Sequence, residues 1–314
     1  MAQVRIGVVG AGYFGRLHAL KVAAGARSVL AGVCDAVPER AAALAAELGC
    51  LALGWEDLLA ACDAVVIASP AATHHAAAAA ALRAGRHVLV EKPVAVSLDE
   101  ADDLIGLARA AGRVLQVGHL LRYSPERAAI AGRMGRPAYI ECTRVAPFKV
   151  RGTDVSVVLD LMVHDFDMVL SLVAAPLEGV EAVGARVASL YVDMANARLR
   201  FANGAVAMLM ASRVGGQTER TMRVFGAEGV LELDFGARML RHVRPGGEEE
   251  VGDWPVVDLI AAEHAAFVAA VLDGAAVLVD GVAGRRALEA ALMVEAAISA
   301  STDKAVAGGL LPAG

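Results

Sequence analysis

"GVVGAGYFGRLHA", residues 7–19, decides how the first third of this chain reads. Val8 and Val9 end a short apolar run that begins at Val4, and glycines follow at 10, 12 and 15. With 32 glycines in 314 residues, chance alone supplies roughly a third of one Gly-x-Gly-x-x-Gly match. The surroundings give the match its meaning, because it closes a strand and opens a helix. There Gly10 permits a tight turn, Gly12 lets backbone approach a pyrophosphate, and Gly15 allows close packing of helix on strand. Tyr13 and Phe14 start the helix whose N-terminal N–H groups receive the anion. Asp35 stands twenty residues beyond Gly15, at the end of the next apolar run. A carboxylate there accepts both hydroxyls of an adenosine ribose and repels a 2′-phosphate, so the expected cofactor is NAD rather than NADP. The same residue can alternatively cap the helix that starts near Pro38. Arg40 is a candidate to stack on the adenine or a solvated helical arginine.

Outward from this loop the rhythm repeats. Apolar, β-branched runs at 4–9, 28–34, 63–68, 87–90 and 114–117 alternate with helical stretches such as "PERAAALAAEL" (38–48). Strands apolar on both faces and separated by helices predict a parallel, doubly wound Rossmann sheet. After Gly118 the pattern changes. A helical segment over 155–173 precedes several alternating runs, including a hairpin over 195–214 turning at Asn203-Gly204. Runs at 221–226, 230–235 and 239–244 extend it, and helices near 257–273 and 283–300 close the chain, leaving 305–314 as a loose tail. The expected organisation is a nucleotide-binding domain over 1–120 and a second domain over 121–314. The second is an open, mostly antiparallel sheet flanked by helices, which makes the fold α/β followed by α+β.

Bulk properties exclude several classes. The composition is 57% hydrophobic and 20% charged, ample for packed cores. A net charge of −6 argues against nucleic acid as a partner. No charge-free apolar run approaches the roughly 18 residues of a membrane span. Cys34, Cys50, Cys62 and Cys142 form no metal spacing, so no metal site is expected and the thiols read as reduced and mostly buried. The chain opens on a strand instead of a basic-then-apolar leader, so a cytoplasmic location is expected.

In an open parallel sheet, ligands gather at the carboxyl ends of the strands. "HVLVEKPVAV" (87–96) puts Glu91, Lys92 and Pro93 at such an end. Ser69-Pro70 and Gly118-His119 lie at two others. Lys92 is therefore a candidate to face nicotinamide and substrate, and a surface lysine paired with Glu91 is the plainer alternative. His18 reads as helix packing and His75 as surface. Farther along, Asp160 and His164 are spaced i, i+4 and share one helix face.

"GVVGAGYFGRLHA", "ASPAATHHAAAAAALRAGRHVLVEKPVA" and "LDLMVHDFD" together resemble the glucose-fructose oxidoreductase/inositol dehydrogenase/rhizopine catabolism (Gfo/Idh/MocA) family, over nearly the whole chain and in the right order. The Glu-Lys-Pro element at 91–93 and the Asp-x-x-x-His element at 160–164 carry the resemblance most specifically. It implies that Lys92 and His164 contact the reacting carbinol together with Asp160. It also implies that His74 lies near the nicotinamide end of the cofactor, and that the open sheet of the second domain serves in a homodimer or homotetramer. Glu91 is a further cofactor candidate at its strand end, and His119, at the last strand end, is placed beside the cofactor or the sugar. The chemistry agrees. Oxidising a secondary alcohol requires a hydride acceptor and a base, and histidine titrates near neutrality. Lys92 can stabilise the developing alkoxide or itself take the proton.

A narrower resemblance appears in "VGHLLRYSP" (117–125) and "CTRVAPFKVRGTDVSVVLDLMVHDFD" (142–167). These look like the branch that oxidises the 3-hydroxyl of UDP-N-acetylglucosamine-type nucleotide sugars, including enzymes feeding lipid A synthesis. Tyr123 and Ser124 depart from the Phe and Asn usual there. A diphosphate would suit Arg122, Arg144, Lys149 and Arg151. The expected substrate is thus a nucleotide sugar, with a free polyol or inositol as the alternative. A non-catalytic NAD-binding sensor is the other class, and the joint presence of Lys92, Asp160 and His164 argues against it.

Overall fold

The computed structural model describes residues 2–149 and 155–307. Five strands, β1 (Val4–Val9), β2 (Ser28–Cys34), β3 (Ala64–Ile67), β4 (His87–Glu91) and β5 (Leu115–Gly118), form a parallel sheet in the order β2-β1-β3-β4-β5. Between them run α1 (Tyr13–Ala24), α2 (Pro38–Leu48), α3 (Trp55–Ala61), α4 (His74–Arg83) and α5 (Leu98–Ala111). All four residues of β3 are fully buried, as expected for a central strand covered on both faces. The order reverses between β1 and β3, so the loops after these strands border the crevice where ligands bind in such sheets.

After α6 (Pro125–Ala131) comes the second sheet. It comprises β6 (Tyr139–Val145), then α7 (Val163–Val173), then β7 (Leu177–Ala185), β8 (Met194–Phe201), β9 (Val206–Ser212), β10 (Glu219–Gly226), β11 (Gly229–Asp234), β12 (Met239–Val243) and β13 (Glu249–Asp253). The order is β13-β12-β11-β10-β6-β9-β8-β7, antiparallel except where β6 lies parallel to β9. Period-two patterning sets the register of the expected hairpin. Ala195, Ala197 and Leu199 face Ala211, Leu209 and Ala207 across β8 and β9, and all six are fully buried. At its turn Gly204 adopts φ +86°, a conformation that glycine tolerates.

The chain closes with α8 (Leu259–Asp273) and α9 (Gly281–Ala307). It divides into two compact units: residues up to Tyr123 with Val257–Leu288, and Ser124–Val256 with the residues from Glu289 onward. The expected split after residue 120 assigned α8 to the second domain. Instead Phe267 and Val268 of α8 join Val4, Ile6 and Val8 of β1 in one apolar cluster. Burying each such side chain is worth about 1.5–3 kcal/mol, which holds the helix on the parallel sheet. Two further differences concern helices. The expected continuous helix over 155–173 begins with a π-turn at Val158–Met162 before α7. The last helix runs to Ala307, into the segment expected to be loose, and the rest of that tail lies outside the described residues. The four cysteines are free. No helix among the described residues is long and apolar enough to cross a membrane.

Candidate active site

The candidate residues fall into two sets, one in each unit. In the first, the glycine loop is shaped by contacts that admit no side chain. Gly10 has φ +96°, and a Cβ there would lie 2.6 Å from the Ala68 carbonyl oxygen. A Cβ on Gly15 would lie 1.7 Å from the Gly10 carbonyl oxygen, so α1 can press against the loop only through glycine. Gly12 is the opposite case: nothing approaches within 4 Å of its virtual Cβ. Gly12 is also the N-cap of α1, no side chain caps that end, and its first turn holds no acid. The positive end of the helix dipole therefore faces open space beside bare backbone, a cradle suited to a pyrophosphate. Tyr13 is exposed and Phe14 half-buried at this helix start.

Asp35 accepts hydrogen bonds from the Ala11 N–H through Oδ2 (2.6 Å) and from the Val37 N–H through Oδ1 (2.8 Å). A carboxylate offers about four lone-pair sites, so two remain for ribose hydroxyls while the backbone bonds hold its orientation. Arg40 is exposed in the first turn of α2. The loop, the helix end and Asp35 together fit an NAD dinucleotide.

Lys92 follows β4 directly and is half-buried. Two of its expected companions have other commitments. Glu91, expected at the cofactor, turns inward: Oε2 accepts from the Lys92 N–H (3.2 Å), and Oε1 lies 2.8 Å from His18 Nε2. His74, 1% exposed, sets Nδ1 2.7 Å from the Pro93 carbonyl oxygen and Nε2 2.9 Å from that of Ser69. Its ring thus ties the loop after β3 to the loop after β4, which leaves neither nitrogen for a ligand. Ser69 bonds Thr73 through its hydroxyl (2.7 Å), and Pro70 is exposed beside it. His119 is buried just beyond β5, and one Arg122 amino group donates to the Leu278 carbonyl oxygen (3.0 Å). His75 pairs with Asp103 near the surface.

The second set rests on the π-turn. Asp160 lies within it and His164 is the second residue of α7; both are half-buried. A wide π-turn often marks a functional site because it re-aims the side chains it carries. Its anchors are polar. The Ser156 hydroxyl donates to the Glu295 carboxylate and accepts from the Leu159 N–H. Upstream, Arg213 donates to the Val155 carbonyl oxygen (2.7 Å) while its Nε pairs with buried Asp193 (2.8 Å). Downstream, Asp165 takes a two-pronged ion pair from Arg144, Nε at 2.8 Å and an amino group at 2.5 Å, with both side chains at most 10% exposed. That pair removes Arg144 from the cations expected at a diphosphate and makes it an anchor for the residue next to His164. Lys149 is exposed, and Arg151 lies outside the described residues. Among the described residues, no group of three or more His, Cys, Asp or Glu side chains could hold a metal ion.

Sequence reasoning missed a buried polar group behind Lys92. His18 Nδ1 lies 2.9 Å from His264 Nε2, and Glu263, the residue before His264, is fully buried. A signal was present: Gly15, His18, Ala19 and Val22 form the buried stripe of α1, so the histidine faces the interior and needs a partner there.

Comparison with known proteins gives concordant results. Residues 4–119 match the oxidoreductase family, NAD-binding Rossmann fold, of the GFO/IDH/MocA group, and residues 127–232 match the GFO/IDH/MocA C-terminal domain. The chain is 44% identical over 313 residues to the UDP-N-acetylglucosamine 3-dehydrogenase of Acidithiobacillus ferrooxidans, covering 96% of this chain and 99% of that one. A solved structure of that enzyme superposes with a TM-score of 0.91 at 43% identity, again over 96% and 99% of the two chains. The scyllo-inositol 2-dehydrogenase (NAD(+)) of Bacillus subtilis is 30% identical over 254 residues, 73% of each chain.

Proposed function

Since this chain belongs to the Gfo/Idh/MocA family of oxidoreductases and carries its NAD-binding Rossmann fold, we propose that it oxidises the C3 hydroxyl of a UDP-N-acetylhexosamine to a ketone. One observation carries the choice of substrate. Likeness to a UDP-N-acetylglucosamine 3-dehydrogenase extends over 96% of the chain at 44% identity, whereas the scyllo-inositol enzyme reaches 30% over 73%.

The nucleotide is held by the Gly10–Gly15 loop and the uncapped start of α1 at its pyrophosphate, and by Asp35 at its ribose. NAD+, when bound, supplies the hydride acceptor. His164 takes the hydroxyl proton on its ring, and Asp160 orients that ring or the adjacent hydroxyl. The Lys92 ammonium donates to the substrate oxygen and stabilises it as negative charge develops. Arg122, Lys149 and Arg151 supply cations for the diphosphate, and His119 lies beside the sugar. The anchors around Asp160 and His164 support this reading, because a base must be held within hydrogen-bond reach of the proton it removes. The protein works in the cytoplasm as a homodimer or homotetramer built on the open face of the eight-stranded sheet.

Incubation with NAD+ and either UDP-N-acetylglucosamine or myo-inositol tests the proposal. NADH from the nucleotide sugar supports it, with turnover falling on the order of 10²–10⁴ in His164→Ala and at least as far in Lys92→Ala. NADH from myo-inositol alone would transfer the assignment to a free polyol.

A further inference from the structure

The polar group behind Lys92 forms a continuous run of hydrogen-bond contacts. A peptide N–H only donates, so the Lys92 N–H makes Glu91 Oε2 an acceptor. Glu91 Oε1 then accepts from His18 Nε2–H at 2.8 Å. His18 Nδ1 in turn lies 2.9 Å from His264 Nε2, so one ring shares a proton with the other. Burial, reinforced by the neighbouring His18, pushes the pKa of His264 down to about 3, which keeps its ring neutral. Glu263 is buried close by. Burial first and Glu91 second raise its pKa well above the usual carboxylate value.

Neighbouring backbone confines this carboxylate. Gly118 pairs with Glu91 across β4 and β5, and a Cβ at 118 would lie 3.1 Å from the Cα, Cδ and Oε2 of Glu91. A side chain at 118 would press on Glu91 and oblige it to shift by a few tenths of an ångström.

We propose that His18 and His264 are positioning residues for Lys92. The contacts of His264 Nε2 with His18 Nδ1, of His18 Nε2 with Glu91 Oε1, and of the Lys92 N–H with Glu91 Oε2 fix the peptide from which the lysine reaches the substrate. The lever is long: a lysine ammonium stands roughly 6 Å from its Cα, so tilting the peptide by about 10° moves it about 1 Å. A displacement of that size near reacting atoms is enough to cost about 10²-fold in rate. The inference rests on the proposed alcohol oxidation only for the task of Lys92; the hydrogen-bonded chain stands without it.

The test uses the full chain with NAD+ bound and compares His18→Leu, His18→Gln and His264→Leu. Steady-state rates with UDP-N-acetylglucosamine, NAD+ affinity by calorimetry, and the reductive methylation rate of Lys92 by peptide mass spectrometry are measured for each. His18→Leu and His264→Leu are expected to lower kcat about 10–100-fold, with KM and NAD+ affinity changed by less than about threefold. The methylation rate of Lys92 shifts in the same variants. His18→Gln, whose amide N–H reaches the same Glu91 oxygen, regains most of kcat. Wild-type kcat and methylation in His18→Leu would overturn the inference. So would His18→Gln no better than leucine, or NAD+ affinity falling in step with kcat, since α1 also carries the nucleotide loop. Should His18→Leu fail to fold, Gly118→Ala, which presses on Glu91 from β5, carries the same expectations. Wild-type protein that makes no NADH from the nucleotide sugar refutes the substrate assignment alone, because methylation of Lys92 still reports on positioning.

Discussion

Replacing Glu263 by glutamine removes a proton that the folded protein holds to higher pH than the unfolded chain does. Glu263 is 0% exposed on α8, and neither of its carboxyl oxygens has a hydrogen-bond partner among the described residues. Burial first, then the charge of Glu91, raises its pKa well above the ordinary 4.5 that the unfolded chain restores. Between those two values the folded state binds one more proton than the unfolded state. Stability therefore falls as pH rises, by about 1.4 kcal/mol per pH unit, and levels off above the folded pKa. Glutamine does not titrate, and its buried amide adds only a pH-independent cost of about 1–3 kcal/mol. The difference in stability between variant and wild type thus isolates the slope. At about 2.1 cal/mol/K per residue, 314 residues give an unfolding entropy of about 0.7 kcal/mol/K, so each pH unit is worth about 2 °C. Melting curves for both proteins at half-unit steps from about pH 5 to 8 are the assay, since the slope starts at the unfolded pKa. The Tm of Glu263→Gln should gain on wild type by about 2 °C per unit as pH rises above the unfolded value, until the gain levels off at the folded pKa. Parallel curves, or a gap that changes in the opposite sense, would refute the reasoning.

Other outcomes follow from the same geometry. Asp35→Ala removes the acceptor for the Ala11 and Val37 N–H groups, so NAD+ affinity should fall and the preference over NADP+ should shrink. Calorimetry that finds NAD+ affinity unchanged contradicts the ribose assignment. Arg144→Met leaves buried Asp165 without its ion-pair partner and should cost about 3–5 kcal/mol in denaturant unfolding, most of it recovered in Arg144→Met/Asp165→Leu. A double variant as unstable as the single would show that the pair does not act as a unit. Met208 and Met210 lie half-buried on the open face of β9, and light scattering at micromolar concentration should find a dimer or tetramer. A stable monomer would remove the assembly proposal.

The parallel sheet was legible because its strands are apolar on both faces and its glycines have single steric causes, as at Gly15. The hairpin of β8 and β9 was legible from its period of two. What escaped depends on distant partners. Nothing local to 257–273 indicates that α8 packs on β1, since an apolar helix face fits either core. The π-turn at Val158–Met162 keeps the hydrophobic content of an α-helix and differs only in hydrogen bonding. Arg144 resembled a ligand cation until its partner Asp165, 21 residues on, was in view. Glu91 and His18 are 73 residues apart and His264 a further 173, so their contact is a product of the fold.

The most direct test of the proposed reaction uses UDP-N-acetylglucosamine carrying deuterium at C3 and follows the label into the nicotinamide. If Lys92 and His164 act on the 3-hydroxyl, the reduced cofactor carries the deuterium, and the nucleotide sugar becomes a ketone at that carbon. Reduced cofactor without deuterium would move the reaction to another carbon, and no reduced cofactor at all would contradict the account.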